Sequence, residues 1–349
     1  MTGDNPKHSP PLRGAIIGFG NVAIHAHLPL WLKSNHFRID AVVEPLPERA
    51  RVAMDVLPEA RIYSGIEPLV AENDLDFVDI CTPPCFHADL MLESCRSGLH
   101  VFCEKPLVTS LESLHKIQEA ADEFQRVIFT VNNWKHAPLW SKAVELIREN
   151  RIGTVRSILL TVLRPSNSGG GATNWRKCAE IAGGGILLDH GWHHFYLILS
   201  VINESPLSIS ARMEYSQVNG PGLEETVDVV LRFRDAEARL QLTWRASYRQ
   251  NYGTITGEQG TIVINDDHLI LHADGLPPTR YDFAEALSGG SHHLDWMKPV
   301  MEDFHREILE VDARGANFME CKYCAQLTYL AYKSHREGSC FIPVHNPIL

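Results

Sequence analysis

The stretch RGAIIGFGNVAIHAHLPLWLKS, residues 13–34, opens as a short apolar run, closes on two glycines and continues with apolar residues near the helical period. It reads as a strand, a tight turn and a helix that tolerates Pro29. In the turn, Gly18, Gly20 and the small Ala23 stand at the spacing of a dinucleotide fingerprint, with Asn21 and Val22 completing the loop. Gly18 permits the sharp turn, Gly20 lets backbone approach a pyrophosphate, and the helix N-terminus faces the anion. The next strand, RIDAVVE (38–44), ends in Glu44. Its carboxylate suits the ribose hydroxyls of NAD and would meet the 2′-phosphate of NADP directly, so NAD is the expected cofactor. Arg49 and Arg51 follow closely enough to soften that preference. The plainer alternative is a glycine turn that only joins strand to helix.

The alternation continues outward. LPERARVAMDVL reads as a helix, ARIYS as a short strand, DFVDICTP (76–83) as a strand and FHADLMLESCRSG as a helix stopped by Gly98. HVFCEKP (100–106) is a strand, SLESLHKIQEAADEF a helix opening on Ser110, and VIFTVN a last strand. Strands alternating with helices imply a parallel, doubly wound sheet, so the fold class is α/β. Thr82, Pro83 and His87 lie where the fourth strand meets its helix, at the crevice edge, where cofactor contact and a plain turn are both open readings. After the helix SKAVELIREN and its stop at Gly153, the runs VRSILLTVL, ETVDVVLRF, ARLQLTWRAS, GTIVIND and HLILHAD are β-rich, several alternating in period two.

Composition narrows the classes. A chain of 349 residues exceeds the usual single-core range and predicts two domains. No apolar run approaches the ~20 residues a membrane-spanning helix needs. The opening MTGDNPKHSPPLR, with three prolines and no apolar segment, predicts a floppy tail rather than a secretion signal, which makes the cytoplasm the default location. A formal charge of -11 without a basic run excludes a nucleic-acid backbone as partner. The eight scattered cysteines predict reduced thiols, and the CxxC of Cys321 and Cys324 has no second pair or spaced histidines to complete a zinc set, so no metal is expected.

The second informative stretch is GGGILLDHGWHHF, residues 183–195. On a helix, Asp189 and His193 are one turn apart on the same face, at the edge of an apolar stripe formed by Leu188, Trp192, Phe195, Leu199 and Ile202. Gly183 to Gly185 would allow close passage of backbone beside a ligand. His194 should point about 100° away and reads as structural, and His190 is ambiguous. An Asp/His pair on a helix is often only a surface hydrogen bond. His292 and His293, in SHHLDW, read as exposed loop residues.

Taken together and in order, CTPPCFH (81–87), HVFCEKPL (100–107), NWR (174–176) and AGGGILLDHGWHHF (182–195) resemble the Gfo/Idh/MocA oxidoreductases. These are NAD(P)-dependent dehydrogenases and reductases of sugars, cyclitols and related rings. The resemblance covers nearly the whole chain and rests most specifically on Glu104-Lys105-Pro106 and on the aspartate with a histidine four residues later. It implies a second domain with a large, mostly antiparallel open sheet whose free face serves a homodimer or a dimer of dimers. The expected division is a tail at 1–13, a dinucleotide-binding Rossmann domain at 14–133, and an α+β substrate and oligomerisation domain at 134–349. Two positions depart from the usual pattern: Tyr196 stands where an aspartate is common, and Trp134-Lys135 replaces an aromatic-Arg pair.

The resemblance also distributes roles. Lys105, at the end of a parallel strand beside the nicotinamide, would polarise the reacting oxygen, His193 would be the general acid/base, and Asp189 would bind a substrate hydroxyl or orient the imidazole. Glu104 joins the cofactor set, and Lys135, Trp175 and Arg176 are candidates for the substrate wall. Alternatives on the same fold are a reductase of an imine, enoyl or tetrapyrrole substrate and a non-catalytic NAD-binding sensor.

Overall fold

The computed structural model describes residues 10–72, 74–165, 174–216, 222–290 and 292–345. Strands β1 (Leu12–Ile17), β2 (Phe37–Val43), β3 (Arg61–Tyr63), β4 (Phe77–Ile80), β5 (His100–Cys103) and β6 (Ile128–Thr130) form one all-parallel sheet in the order β3-β2-β1-β4-β5-β6. Every residue of β4, β5 and β6 is buried, which is why these strands read as unbroken apolar runs. The order reverses between β1 and β4, and the crevice at their carboxyl ends is where such sheets hold ligands. The expected tail overlaps the sheet slightly, because β1 already begins at Leu12.

The second sheet contains β7 (Val155–Leu163), β8 (Ser208–Tyr215), β9 (Glu224–Arg232), β10 (Glu237–Thr243), β11 (Gln250–Gly257), β12 (Gly260–Asn265), β13 (His268–Ala273), β14 (Thr279–Asp282) and β15 (Ile342–Pro343), in the order β14-β13-β12-β11-β7-β10-β9-β8-β15. Only β7 and β10 are parallel neighbours. Four of these strands were not legible as such. Of the inward positions of β11, Asn251, Gly253 and Ile255, only one is a large apolar residue, and β14 is an exposed edge. β8 does turn Ile209, Ala211 and Met213 inward, but charged outward positions dilute the pattern.

Two helices join the sheets. Leu294–Leu309 packs Phe304 among Phe37, Phe77, Phe102 and Phe129, so a helix from the C-terminal half completes the core of the first sheet. On Ala316–Arg336, Asn317 exchanges two hydrogen bonds with the backbone of Thr130 on β6, at 2.7 and 3.0 Å, and Ser334 accepts the backbone N–H of Ala211 on β8 at 2.9 Å. One helix therefore fixes the crevice of the first sheet against the body of the second. No helix among the described residues is long and apolar enough to cross a membrane.

Candidate active site

The glycine loop is shaped by close backbone contact. Gly18 has φ of +87°, and a Cβ there would lie 2.9 Å from Cγ2 of Thr82 and 3.2 Å from the carbonyl of Cys81. Only glycine fits. Above Gly20 the nearest group is the Arg49 guanidinium, 3.7 Å from where a Cβ would be, so the loop presents bare backbone. Glu44 is buried and accepts the N–H of Phe19 at 2.7 Å and of Leu46 at 2.9 Å. It therefore clamps the loop as well as standing at the end of β2. Across the crevice, Oγ1 of Thr82 is buried without a hydrogen-bond partner among the described residues. An open glycine cradle and an orphaned hydroxyl fit a bound dinucleotide.

Beneath the crevice lies a network that sequence reasoning missed. A π turn at Ala23–His27, closed by Leu28 N–H to the carbonyl of Ala23, turns His27 inward, and Pro29 follows where its missing N–H is tolerated. His27 Nδ1 meets Asp79 at 2.9 Å and Nε2 meets Glu104 at 2.9 Å, while Trp31 donates to Asp79 at 2.6 Å. A ring with a carboxylate at each nitrogen must carry both protons. Burial is the largest single effect and opposes that charge, but Asp79 and Cys81 together outweigh it and raise the His27 pKa well above its usual value. Ligand atoms of His27, Asp79 and Cys81 all lie within 4.8 Å of one another, yet His27 and Asp79 are already satisfied by this hydrogen bonding. The network holds Glu104, whose other oxygen accepts the N–H of Lys105 at 3.1 Å. Lys105 is thereby fixed at the same sheet edge as Gly18 and Thr82.

The second sheet supplies the facing wall. Gly185 presses on the backbone of Glu224 so closely that a Cβ would overlap its carbonyl oxygen. Buried Glu224 accepts N–H groups from Gly185 and Leu187 and the hydroxyl of Tyr332, at 2.9 to 3.0 Å, and pins the start of the next helix. That helix opens with a second π turn, Leu187–Gly191, before Trp192–Ile202 becomes regular. Such turns insert a residue and re-aim side chains, a recurrent feature of functional sites.

The turn brings Asp189 to Lys105. The lysine ammonium donates to the carboxylate at 2.9 Å and to the Asp189 carbonyl at 2.7 Å, and its third proton has no partner among the described residues. Burial would raise the Asp189 pKa, but Lys105 and then His190 and Arg176 hold it well below the usual range. The side chains of Lys105 and Asp189 keep 18% and 26% exposure, enough for the pair to be reached from the cleft. Asp189 makes no hydrogen bond to His193 among the described residues, so of its two expected roles the orienting of the imidazole is not seen; its other oxygen approaches His190 at 3.6 Å. His193 is oriented by Tyr196, whose hydroxyl is 2.8 Å from Nδ1, and by the stacked ring of Trp134. Its pKa is driven well below 6.5 by burial and then by the positive charge of Lys105.

Other expected site residues divide. Arg176 stacks on Trp175 at 4.3 Å and lowers the Asp189 pKa, so both stand beside the cleft. Lys135 does not: its ammonium is bound to Glu320 at 3.0 Å, in a cluster that also holds Asn132. His87 is buried with its ring nitrogens 2.9 Å from the carbonyls of Thr82 and Pro106; burial lowers its pKa, so the neutral ring donates to one of the two carbonyls and faces the other, instead of presenting a free nitrogen. Pro83 begins the Pro84–Phe86 turn, and Asn21 is exposed at the glycine loop beside half-buried Val22. His194 bonds the carbonyl of His190 at 2.8 Å. His293 is buried against Trp296, not exposed, because it stacks at 3.6 Å and pairs with Glu285. Cys321 and Cys324 are buried in a helix, and burial pushes the Cys321 thiol up to about 12.

Comparison with known proteins agrees with this architecture. Residues 12–133 match the oxidoreductase family with an NAD-binding Rossmann fold, and residues 140–263 match the Gfo/Idh/MocA C-terminal domain. Levoglucosan dehydrogenase of Pseudarthrobacter phenanthrenivorans is 29% identical over 279 residues, covering 72% of each chain. D-glucoside 3-dehydrogenase of Escherichia coli is 26% identical over 185 residues, 53% of this chain and 52% of that one. An inositol dehydrogenase homologue from Azotobacter vinelandii, solved with NAD+, superposes with a TM-score of 0.84 over 99% of this chain and 100% of the other, at 17% identity.

Proposed function

This chain belongs to the Gfo/Idh/MocA oxidoreductases, with an NAD-binding Rossmann domain, and we propose that it interconverts a secondary alcohol and a ketone on a sugar, cyclitol or derivative of either. The observation that carries the reading is the Lys105–Asp189 pair, set between the ends of two sheets where the cofactor crevice meets the second domain. Bound nicotinamide supplies or accepts the hydride. The protein positions and polarises the reacting oxygen. Lys105 offers its third N–H, Asp189 holds the ammonium in place, and Nε2 of His193 has no partner among the described residues. Sequence reasoning gave His193 the proton; the geometry leaves both Lys105 and His193 a group to offer the oxygen. Trp175 and Arg176 supply a wall suited to a hydroxylated ring. The NAD-binding Rossmann domain supports NAD as the cofactor, and Glu44, held at the glycine loop, is proposed to meet the ribose. The second sheet's free face is proposed to form a homodimer or a dimer of dimers.

The test is the change in reduced nicotinamide with NAD and, separately, NADP across cyclitols, free sugars and sugar phosphates. Turnover with a polyol supports the reading. Tight NADH binding with silence across the panel would overturn it in favour of a non-polyol reductase or a sensor.

A further inference from the structure

Tyr196 changes what Nδ1 of His193 can bond to. A carboxylate in that place would accept a proton from Nδ1 and leave a lone pair on Nε2. A phenol has one proton to give. The oxygen of Tyr196 already receives the backbone N–H of Trp134 at 3.0 Å, a group that only donates. Nδ1 of His193 lies 2.8 Å away, and no other acceptor bonds this oxygen among the described residues. Tyr196 is 1% exposed, so water does not replace that acceptor. An O–H left without one would be disfavoured by about tenfold to a hundredfold. The stacked Trp134 ring at 5.1 Å and the edge-on Tyr196 ring at 5.8 Å prevent the imidazole from evading the contact.

We propose that Tyr196 is the positioning residue that sets the tautomer of His193, its O–H donating to Nδ1 so that the ring proton sits on Nε2 and faces the cleft. The consequence for catalysis rests on the oxidoreductase reading; the tautomer does not. A ring in this form offers the reacting oxygen a hydrogen bond but has no lone pair there for a hydroxyl proton. Burial and the charge of Lys105 keep it neutral, so it is not a proton reservoir either. The proton therefore travels through Lys105. In reduction, the oxygen gains negative charge and forms an O–H bond with a proton from the Lys105 ammonium, whose N–H bond breaks to leave the amine. In oxidation the ammonium first releases a proton to water, and the resulting amine takes the hydroxyl proton as the hydride leaves, which restores the ammonium; in reduction the amine is reprotonated from water. His193 acts as a neutral hydrogen-bond donor throughout.

The first test is nitrogen NMR of the histidine-labelled protein without cofactor or substrate, the His193 signal being the one lost in His193→Gln. The expected spectrum shows a protonated Nε2 and a bare Nδ1 in the wild type, and a mixed or inverted pattern in Tyr196→Phe. A protonated Nδ1 in the wild type, or a pattern unchanged in Tyr196→Phe, overturns the proposal. Because this readout needs no turnover, it fails independently of the oxidoreductase reading. Kinetics provide the second test: His193→Gln places an N–H near the position of Nε2 and should retain kcat within about tenfold, whereas a proton carrier would lose about a hundredfold to ten-thousandfold. Loss on that scale in a folded His193→Gln would overturn the assignment of the proton to Lys105.

Discussion

Replacing Asp189 by asparagine keeps the shape of the side chain and removes the charge that holds Lys105. At the observed 2.9 Å, the attraction between the two charges is about 6 kcal/mol for an effective dielectric of about 20. Most of it is offset by the cost of taking both groups out of water, and a hydrogen bond between charged groups nets about 1.5–3 kcal/mol. The carbonyl of Asp189, 2.7 Å from the ammonium, survives the substitution, which places the effect toward the lower end. The expected loss in kcat/KM is about tenfold to a hundredfold. Because the folded-state pKa of Asp189 is depressed, the pair contributes stability above the ordinary carboxylate value of 3.8 and loses it only as pH falls through the depressed value. The Asp189 carboxylate is therefore fully charged at both pH 6 and pH 9, and a difference in the deficit between them reports the proton carried by Lys105. The assay is kcat/KM at both pH values, beside NADH affinity by fluorescence, which should not move. A folded variant within twofold of wild type would refute the claim that Asp189 positions the reacting lysine.

Further predictions concern the parts that support this pair. The raised pKa of His27 means that its stabilisation is complete below pH 6.5 and fades as pH rises through the folded value. The penalty of His27→Gln in urea unfolding should accordingly shrink above pH 6.5 by about 1.4 kcal/mol per pH unit, and a penalty that grows with pH would contradict the doubly paired imidazolium. Phe304→Ala should cost about 3–5 kcal/mol in the same assay, because the ring is fully buried among four phenylalanines of the first sheet; a loss below about 1 kcal/mol would show that Leu294–Leu309 is not part of that core. Glu44→Ser removes the acceptor of two loop N–H groups and leaves Arg49 beside Gly20, so NADH should bind about tenfold more weakly relative to NADPH. An unchanged ratio of the two affinities would remove Glu44 from cofactor choice.

How much was legible follows from which interactions are local. The first sheet was readable because strand, turn and helix recur at short range, and Gly18 and Glu44 each belong to such a unit. Lys105 and Asp189 were found as separate motifs; their contact spans 84 residues and had no sequence signal of its own. Both π turns defeat a reading based on regular periods, because the inserted residue alters which side chains share a face. That is why His27 went unnoticed and Asp189 was expected to serve His193. Lys135 and His87 show the complementary limit. Their residue types suited a ligand, but Glu320 and two backbone carbonyls reach them first. Tyr196 was visible as a departure, and only its partners reveal what it does.

Lys105 is the centre of the proposed chemistry. The most direct measurement is single-turnover reduction and oxidation of the nicotinamide by Lys105→Met, alongside NADH binding. The chemical step should be slowed at least about a thousandfold, with NADH affinity within about threefold of wild type. A variant that still turned over within about tenfold of wild type would move the reaction centre away from the Lys105–Asp189 pair.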